Sequence, residues 1–194
     1  MLHIVDDEDV VRDSLSWLAQ SRGIPACSYP DGASFLEAAG AGFDPEGDCV
    51  LLDVRMPGMN GVAVFDQLSA RGLAARLPVI FLTGHGDVPM AVDALKRGAF
   101  DFYEKPFNDN QLMDRVQEAL VQSRRAGEAA AVQARLESLS AREREVLDLI
   151  MAGKMNKVIA DELGISMRTV EVHRAHIFDK MRVKTAVELA GLLK

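Results

Sequence analysis

The chain has 194 residues, 48% of them apolar, and a formal net charge of −7. That apolar share is enough to fill a core and argues against wholesale disorder, and no apolar run approaches the ~18 residues a membrane helix needs. The charge is uneven: residues 1–123 carry 9 basic and 19 acidic side chains, whereas residues 138–194 carry 10 and 8, so an acidic module precedes a mildly basic one and each is read by itself.

In chain order, Leu2-His3-Ile4-Val5 is a buried strand that ends in the acidic turn Asp6-Asp7-Glu8-Asp9. Val10, Val11, Leu15 and Leu18 then recur at helical spacing until Gly23, with Asp9 placed to cap that helix. The rhythm repeats as a weak strand at 25–29, a helix at 32–41, a strong strand at 49–52 and a helix at 61–70. It continues as a strand at 78–82, a helix at 88–97, a strand at 101–104 and a helix at 110–122. Strands alternating with helices predict parallel βαβ units with both sheet faces covered. Residues 124–137, rich in Ala, Gln, Arg and Glu, predict a helical connector, with a flexible tether as the alternative. Beyond it only helical patterns occur, at 141–151, 157–163, 168–181 and 186–193. The start lacks the pattern of a secretory signal, so a cytoplasmic location without a membrane partner is expected. Cys27 and Cys49 lie far apart in apolar stretches and are expected as buried, reduced thiols.

Ligands of such sheets sit beyond the carboxyl ends of the strands. Asp6 and Asp7 follow the first strand and Asp53 the third, while the fourth delivers Thr83 and the fifth Lys105-Pro106. Crowded carboxylates repel, so the cluster calls for a cation or a raised pKa. An all-oxygen set with room for water and phosphate oxygens suits Mg²⁺, beside which one carboxylate can act as nucleophile toward a phosphoryl group. Thr83 can then hydrogen-bond a phosphoryl oxygen and Lys105 neutralise another.

The Val5-Asp6-Asp7-Glu8 stretch, the run from Leu52 through Asp53, Arg55, Met56 and Pro57 to Gly61, Leu82-Thr83-Gly84 and Lys105-Pro106-Phe107 together resemble the receiver domain of bacterial response regulators. The resemblance implies that Asp53 is the phospho-acceptor. It implies that Asp7 and the Arg55 carbonyl ligate Mg²⁺ directly with Asp53, that Asp6 acts through water, and that Lys105–Pro106 is cis. It also implies a switch joining Thr83 to Phe102, with Tyr103 on the opposite face. Arg55 and His85, each two residues past a site residue, are expected to overhang the phosphoryl group and set its lifetime.

Ser140 with Glu143 forms a capping-box pattern, and Asn156 to Leu163, Gly164 and Ser166 give a helix, a glycine turn and a capped second helix. Residues 138–194 resemble the LuxR-type DNA-binding domain through the run from Leu139 to Leu147, Asn156-Lys157-Val158-Ile159-Ala160 and Thr169-Val170-Glu171-Val172-His173. The stretch Met155-Asn156-Lys157-Val158 departs from the family pattern, in which Ser or Thr is usual just before the Lys or near it, and a weaker helix cap is expected there. Val170 and Ile177 are expected to face the core, and Glu171, Val172, Arg174 and Ala175 the groove. Glu171 would accept from a cytosine amino group and Val172 touch a thymine methyl, while Lys157, Arg168, Thr169 and Lys180 would meet phosphates.

The whole chain thus resembles the NarL/FixJ family of two-component response regulators. The expected architecture is a doubly wound α/β receiver with a five-stranded parallel, flavodoxin-like sheet at 1–123, a helical linker at 124–137, and an all-α four-helix LuxR-type helix-turn-helix domain at 138–194. The implied partners are a sensor histidine kinase, double-stranded operator DNA and, as a further candidate, RNA polymerase. The implied activity is regulation rather than metabolic catalysis, the receiver catalysing only its own phosphorylation and dephosphorylation. Pairing on phosphorylation is expected through the face of residues 88–97, 101–104 and the following helix, with Val92, Lys96, Asp101 and Arg115 as cross-subunit partners. Two rival readings are a free-standing Mg²⁺ phosphohydrolase and a regulator with a vestigial receiver. The first wants a general acid two residues past Asp53, where Arg55 stands; the second is opposed by the complete residue set.

Overall fold

A computed structural model describes residues 1–39, 42, 44–84 and 88–193, with only the backbone of residues 88 and 91. Two compact units divide it, Met1–Gly127 and Glu128–Lys194.

In the first unit, strands β1 (Leu2–Val5), β2 (Ala26–Tyr29), β3 (Cys49–Asp53), β4 (Val79–Thr83) and β5 (Asp101–Glu104) pair in parallel in the order β2-β1-β3-β4-β5. Helices α1 (Asp9–Ser21), α2 (Gly32–Ala38), α3 (Gly61–Ala70), α4 (Val88–Lys96) and α5 (Asp109–Glu137) alternate with them. Strand alternation sorts the core into two layers. Val50, Leu52, Val79 and Phe81 meet Phe35 of α2, Val64, Phe65 and Leu68 of α3 and Ala94 of α4. Cys49, Leu51, Ile80 and Leu82 meet Leu15 and Ala19 of α1 and Leu112, Met113, Val116 and Ala119 of α5. Each fully buried Val, Leu, Ile, Phe or Met side chain among them contributes about 1.5–3 kcal/mol, which is why β3 and β4, buried throughout, read so plainly in the sequence. The same alternation puts Phe102 against the first layer and Tyr103 against the second.

Several expectations need correction. Helix α2 ends at Ala38, short of residue 41. Asp9 does not cap α1: Glu8 is the N-cap and makes no side-chain cap bond, while Asp9 starts the helix and pairs with Arg12. Cys49 is buried, and burial pushes its thiol pKa well up, but Cys27 is exposed because the edge strand β2 leaves its outer face uncovered.

The helical unit consists of α6 (Ala141–Met151), α7 (Asn156–Leu163), α8 (Met167–Met181) and α9 (Ala186–Leu192) around Val146, Ile159, Val170, Ile177, Met181 and Leu189. Val132 and Leu136, in the last turns of α5, pack on this core. Earlier in α5, the buried Ser123 belongs to the first unit: its Oγ accepts from the Asp48 amide at 2.9 Å and donates to the Arg76 carbonyl at 2.5 Å. No helix among the described residues is long and apolar enough to cross a membrane.

Between β3 and α3 the chain folds back sharply, with the Gly61 amide donating to the Val54 carbonyl at 3.0 Å. A Cβ on Gly61 would run into the Asp53 carbonyl oxygen, which is backbone and cannot swing aside. Gly61→Ala should therefore cost about 1–3 kcal/mol, read as a lower urea midpoint with unchanged slope. An unchanged midpoint would mean that this loop is not constrained as described.

Candidate functional site

Four strand ends converge on one polar cluster. Asp6, directly after β1, is fully buried. Its Oδ1 accepts from the Glu8 amide at 2.9 Å and its carbonyl from Arg12 Nη1 at 2.7 Å, which fixes the acidic turn. Asp53 closes β3 and is 5% exposed, its Oδ2 accepting from the Arg55 amide at 2.7 Å. Thr83 closes β4 and is fully buried. The Lys105 amide continues the ladder by donating to the Thr83 carbonyl at 2.7 Å, and its side chain then reaches across the sheet end. There Nζ donates to Asp53 Oδ1 at 2.7 Å and to Asp6 Oδ2 at 2.8 Å. The Lys105–Pro106 bond is cis.

In this structure the Lys105 ammonium bridges the two carboxylates. Burial works against the Lys105 ammonium, but its bonds to Asp53 and Asp6 outweigh that and hold its pKa above the ordinary lysine value. Burial also pushes the Asp53 carboxyl up, against the hydrogen bond from Lys105. At 2.7 Å the bond between them is that of an ammonium and a carboxylate, so the charged pair describes the site at neutral pH. Thr83 Oγ1 is buried and has no hydrogen-bond partner among the described residues. A hydroxyl left unsatisfied is costly unless something else meets it.

Asp7, the next residue after Asp6, is exposed. Among the described residues no three acidic, histidine or cysteine side chains form a metal cage. Arg55 is exposed, and His85 lies outside the described residues. Phe102 is half-buried, its amide donating to Asp101 Oδ1 at 2.8 Å. On the same side of the unit Val92 and Lys96 are exposed, but Asp101 and Arg115 are joined to each other at 2.6 Å. Arg115 also bonds Glu118 and covers the Phe100 ring at 4.2 Å. Asp101 and Arg115, expected to reach a second chain, are therefore already partnered within this one, because β5 and α5 bring opposite charges together.

In the helical unit the capping box at Ser140 and Glu143 is complete. Gly164 ends α7 in the left-handed conformation at φ 64°, and Ser166 caps α8 by accepting from the Thr169 amide at 3.1 Å. Met155 gives α7 no side-chain cap, as its apolar chain requires. Val170 and Ile177 are fully buried. Arg168, Glu171, Val172 and Ala175 line one shallow, open depression on α8. Arg174 is half-buried, with its guanidinium 5.4 Å from the Phe178 ring centre. Lys157 is exposed and Thr169 half-buried. Lys180 departs from expectation: its Nζ is held by the buried Glu143 carboxylate at 2.7 Å and by the Ser138 carbonyl at 3.1 Å, instead of standing clear for a phosphate. The sequence shows Glu143 only as a capping residue. Its second partner lies 37 positions away, and no spacing rule carries that pairing.

Comparison with known proteins agrees with this geometry. Residues 2–117 match the response regulator receiver domain, and residues 137–193 match the bacterial regulatory proteins of the luxR family. The C4-dicarboxylate transport transcriptional regulatory protein DctR of Rhodobacter capsulatus is 51% identical, covering 98% of each chain. The transcriptional regulatory protein FixJ of Azorhizobium caulinodans is 44% identical over 98% of this chain and 90% of its own. Full-length FixJ from B. japonicum superposes with a TM-score of 0.59 at 41% identity, over 98% of this chain and 94% of that one. With both domains matched in order and relatives alike along nearly their whole length, the chain belongs to the two-component response regulators of the NarL/FixJ type, in which a receiver precedes a LuxR-type DNA-binding domain.

Proposed function

We propose that Asp53 accepts a phosphoryl group from a phosphohistidine of a sensor histidine kinase and that this shifts the receiver to a pairing state that promotes operator binding. The observation that carries the reading is the Thr83 hydroxyl, buried and without a hydrogen-bond partner among the described residues, at the strand ends where Lys105 bridges two carboxylates. The phosphoryl group leaves the histidine nitrogen as an Asp53 carboxylate oxygen bonds to phosphorus. Thr83 Oγ1 then gains the partner it lacks, and Lys105, already at Asp53, binds a phosphoryl oxygen. The cluster is all oxygen and anionic, which fits Mg²⁺: that ion is usually held by one or two carboxylates together with phosphate oxygens, so no three-carboxylate cage is needed. Asp7 and the Arg55 carbonyl would hold it with Asp53, and Asp6 through water. When bound, the metal neutralises phosphoryl oxygens. Arg55, two residues past Asp53, would shield the phosphoryl group from water.

Movement of Thr83 toward the phosphoryl group vacates space beside the half-buried Phe102, whose inward turn is the switch. A phenyl ring has no hydroxyl to hold either state, so packing alone decides. The exposed surface of α4 with Val92 and Lys96 then meets a second copy, Asp101 and Arg115 acting through the shape of their internal pair. Two linked DNA-binding domains raise avidity about 10²–10⁴-fold over one. On the operator, Glu171 and Val172 read base edges with Ala175, while Lys157, Arg168 and Thr169 meet phosphates. Arg174 stays on Phe178 and flanks that surface. The setting is the cytoplasm, and RNA polymerase is the further partner of an activator.

With acetyl phosphate and Mg²⁺, Asp53 should be the acceptor, so Asp53→Asn should stay folded and unlabelled; labelling at the wild-type level would remove the assignment. A carboxyl whose folded pKa is raised contributes stability below its unfolded pKa and loses it as pH rises through the folded value. The charged Asp53 therefore weakens the fold near neutral pH, and Asp53→Asn should melt no lower than wild type at pH 7; a lower melting temperature would show that the Lys105 bond outweighs burial. Phosphorylation should convert monomer to dimer in sedimentation, and Lys96→Glu should block that while leaving labelling intact. An unchanged mass with DNA binding gained would point instead to release of an inhibitory receiver contact.

A further inference from the structure

Among the described residues of the helical unit, Glu143 is the one charged side chain that is buried, at 5% exposure. A capping box asks for far less, since a Glu or Gln at that position can accept from the N-cap amide while remaining in water. Here the carboxylate does accept from the Ser140 amide, at 2.8 Å, but the same Oε2 also holds Lys180 Nζ at 2.7 Å. Lys180 lies in the last turn of α8 and spends a second donor on the Ser138 carbonyl at 3.1 Å. His176, one turn earlier on α8, brings Nδ1 to 3.7 Å from the other carboxylate oxygen. The bonds from Lys180 and the Ser140 amide hold the Glu143 carboxyl below the usual range, so it stays ionised. One carboxylate thus ties the start of α6 to the C-terminal half of α8.

Elsewhere on α8, Val170, Ile177 and Met181 lie in the apolar core, His173 Nδ1 is buried without a hydrogen-bond partner among the described residues, and Arg135 Nη1 reaches the Met181 carbonyl only at 3.4 Å. Apolar contact is non-directional and tolerates rotation and sliding, whereas a charge-assisted bond fixes both. We infer that Glu143 is a positioning residue for DNA recognition: by holding Lys180 it fixes how α8 presents Arg168, Glu171, Val172 and Ala175, and it removes Lys180 from the phosphate contacts. This rests on the reading of α8 as the recognition helix.

The test uses the full-length chain with acetyl phosphate and Mg²⁺ present throughout. The probes are a duplex that the wild type selects from a randomised library and a shuffled duplex of equal length and composition. Glu143→Gln keeps the shape and the capping acceptor but releases Lys180, which is partly exposed and can turn to solvent. The variant should keep its helical circular dichroism and lose about tenfold in the ratio of selected to shuffled affinity, as expected for one charged hydrogen bond. Its binding to the shuffled duplex should strengthen, with the salt dependence steeper by about one counterion. The double variant Glu143→Gln/Lys180→Gln should return the salt dependence to the wild-type value while discrimination stays low. A merely structural role would weaken both duplexes together without steepening the salt dependence.

A folded Glu143→Gln protein with unchanged discrimination overturns the inference. So does a double variant whose salt dependence falls about one counterion below wild type, because Lys180 would then be a phosphate contact. Should Glu143→Gln fail to fold, the double variant, which leaves no unpaired charge, decides by the same two readouts. A wild type that discriminates no duplex removes the DNA-binding reading, and this inference with it.

Discussion

Lys105 is held between two buried carboxylates at the end of a parallel sheet, 2.7 Å from Asp53 and 2.8 Å from Asp6, and much of the first unit is arranged around that contact. Taking a carboxylate out of water costs several kcal/mol even after relaxation, so Asp6 and Asp53 can stay buried only if a cation reaches them with good geometry. The parallel order β2-β1-β3-β4-β5 supplies that geometry, since it places the ends of β1, β3 and β4 side by side and delivers Lys105 from the neighbouring β5. Two apolar layers cover the sheet, and Thr83 at its end is fully buried. What results is a site in which one ammonium serves two carboxylates at once, so the cluster keeps a net negative charge. Under the proposed function, a phosphoryl group arriving at Asp53 would change the count on that ammonium and so turn chemistry at the strand ends into a structural signal.

The helical unit uses the same physics for a different end. Glu143 is buried and ionised, and its balance comes from an ammonium on another helix. In both units a buried carboxylate joins elements distant in sequence, and in both the apolar core supplies most of the cohesion but little of the direction. Helix α5 serves the two units through separate residues. Ser123 is bonded into the first between Asp48 and Arg76, while Val132 and Leu136 belong to the second core. Glu128 and Ala129 to Ala131, exposed between those anchors, pack on neither core.

Much of this was legible in the sequence because the signals were periodic or covalent. The fully buried β3 and β4 are unbroken apolar runs, the capping box at Ser140 and Glu143 is a local pattern, and Gly164 marks its turn through a conformation that favours glycine. The strand-end rule brings Asp6, Asp53, Thr83 and Lys105 to one end of the sheet from the sequence alone. What could not be read were pairings that only three-dimensional packing creates. Lys180 looks like a free cation until α6 is placed beside it, and Asp101 and Arg115 look available until β5 and α5 face each other. Cys27 sits in an apolar stretch, but its strand is at the sheet edge, which alternation alone does not reveal. Asp9 has a capping residue's composition, yet the helix begins one position too early for it to act as one.

The central claim is that the carboxylate shared with Lys105 is the one that becomes phosphorylated. An acyl phosphate is reduced by borohydride to the corresponding alcohol, which survives digestion and marks the acceptor in peptide mass mapping. After reaction with the kinase phosphohistidine or acetyl phosphate in Mg²⁺, the reduced residue should be found at position 53 and nowhere else. Reduction at Asp6 or Asp7, or label that resists borohydride because it sits on a hydroxyl or an imidazole, would contradict the account.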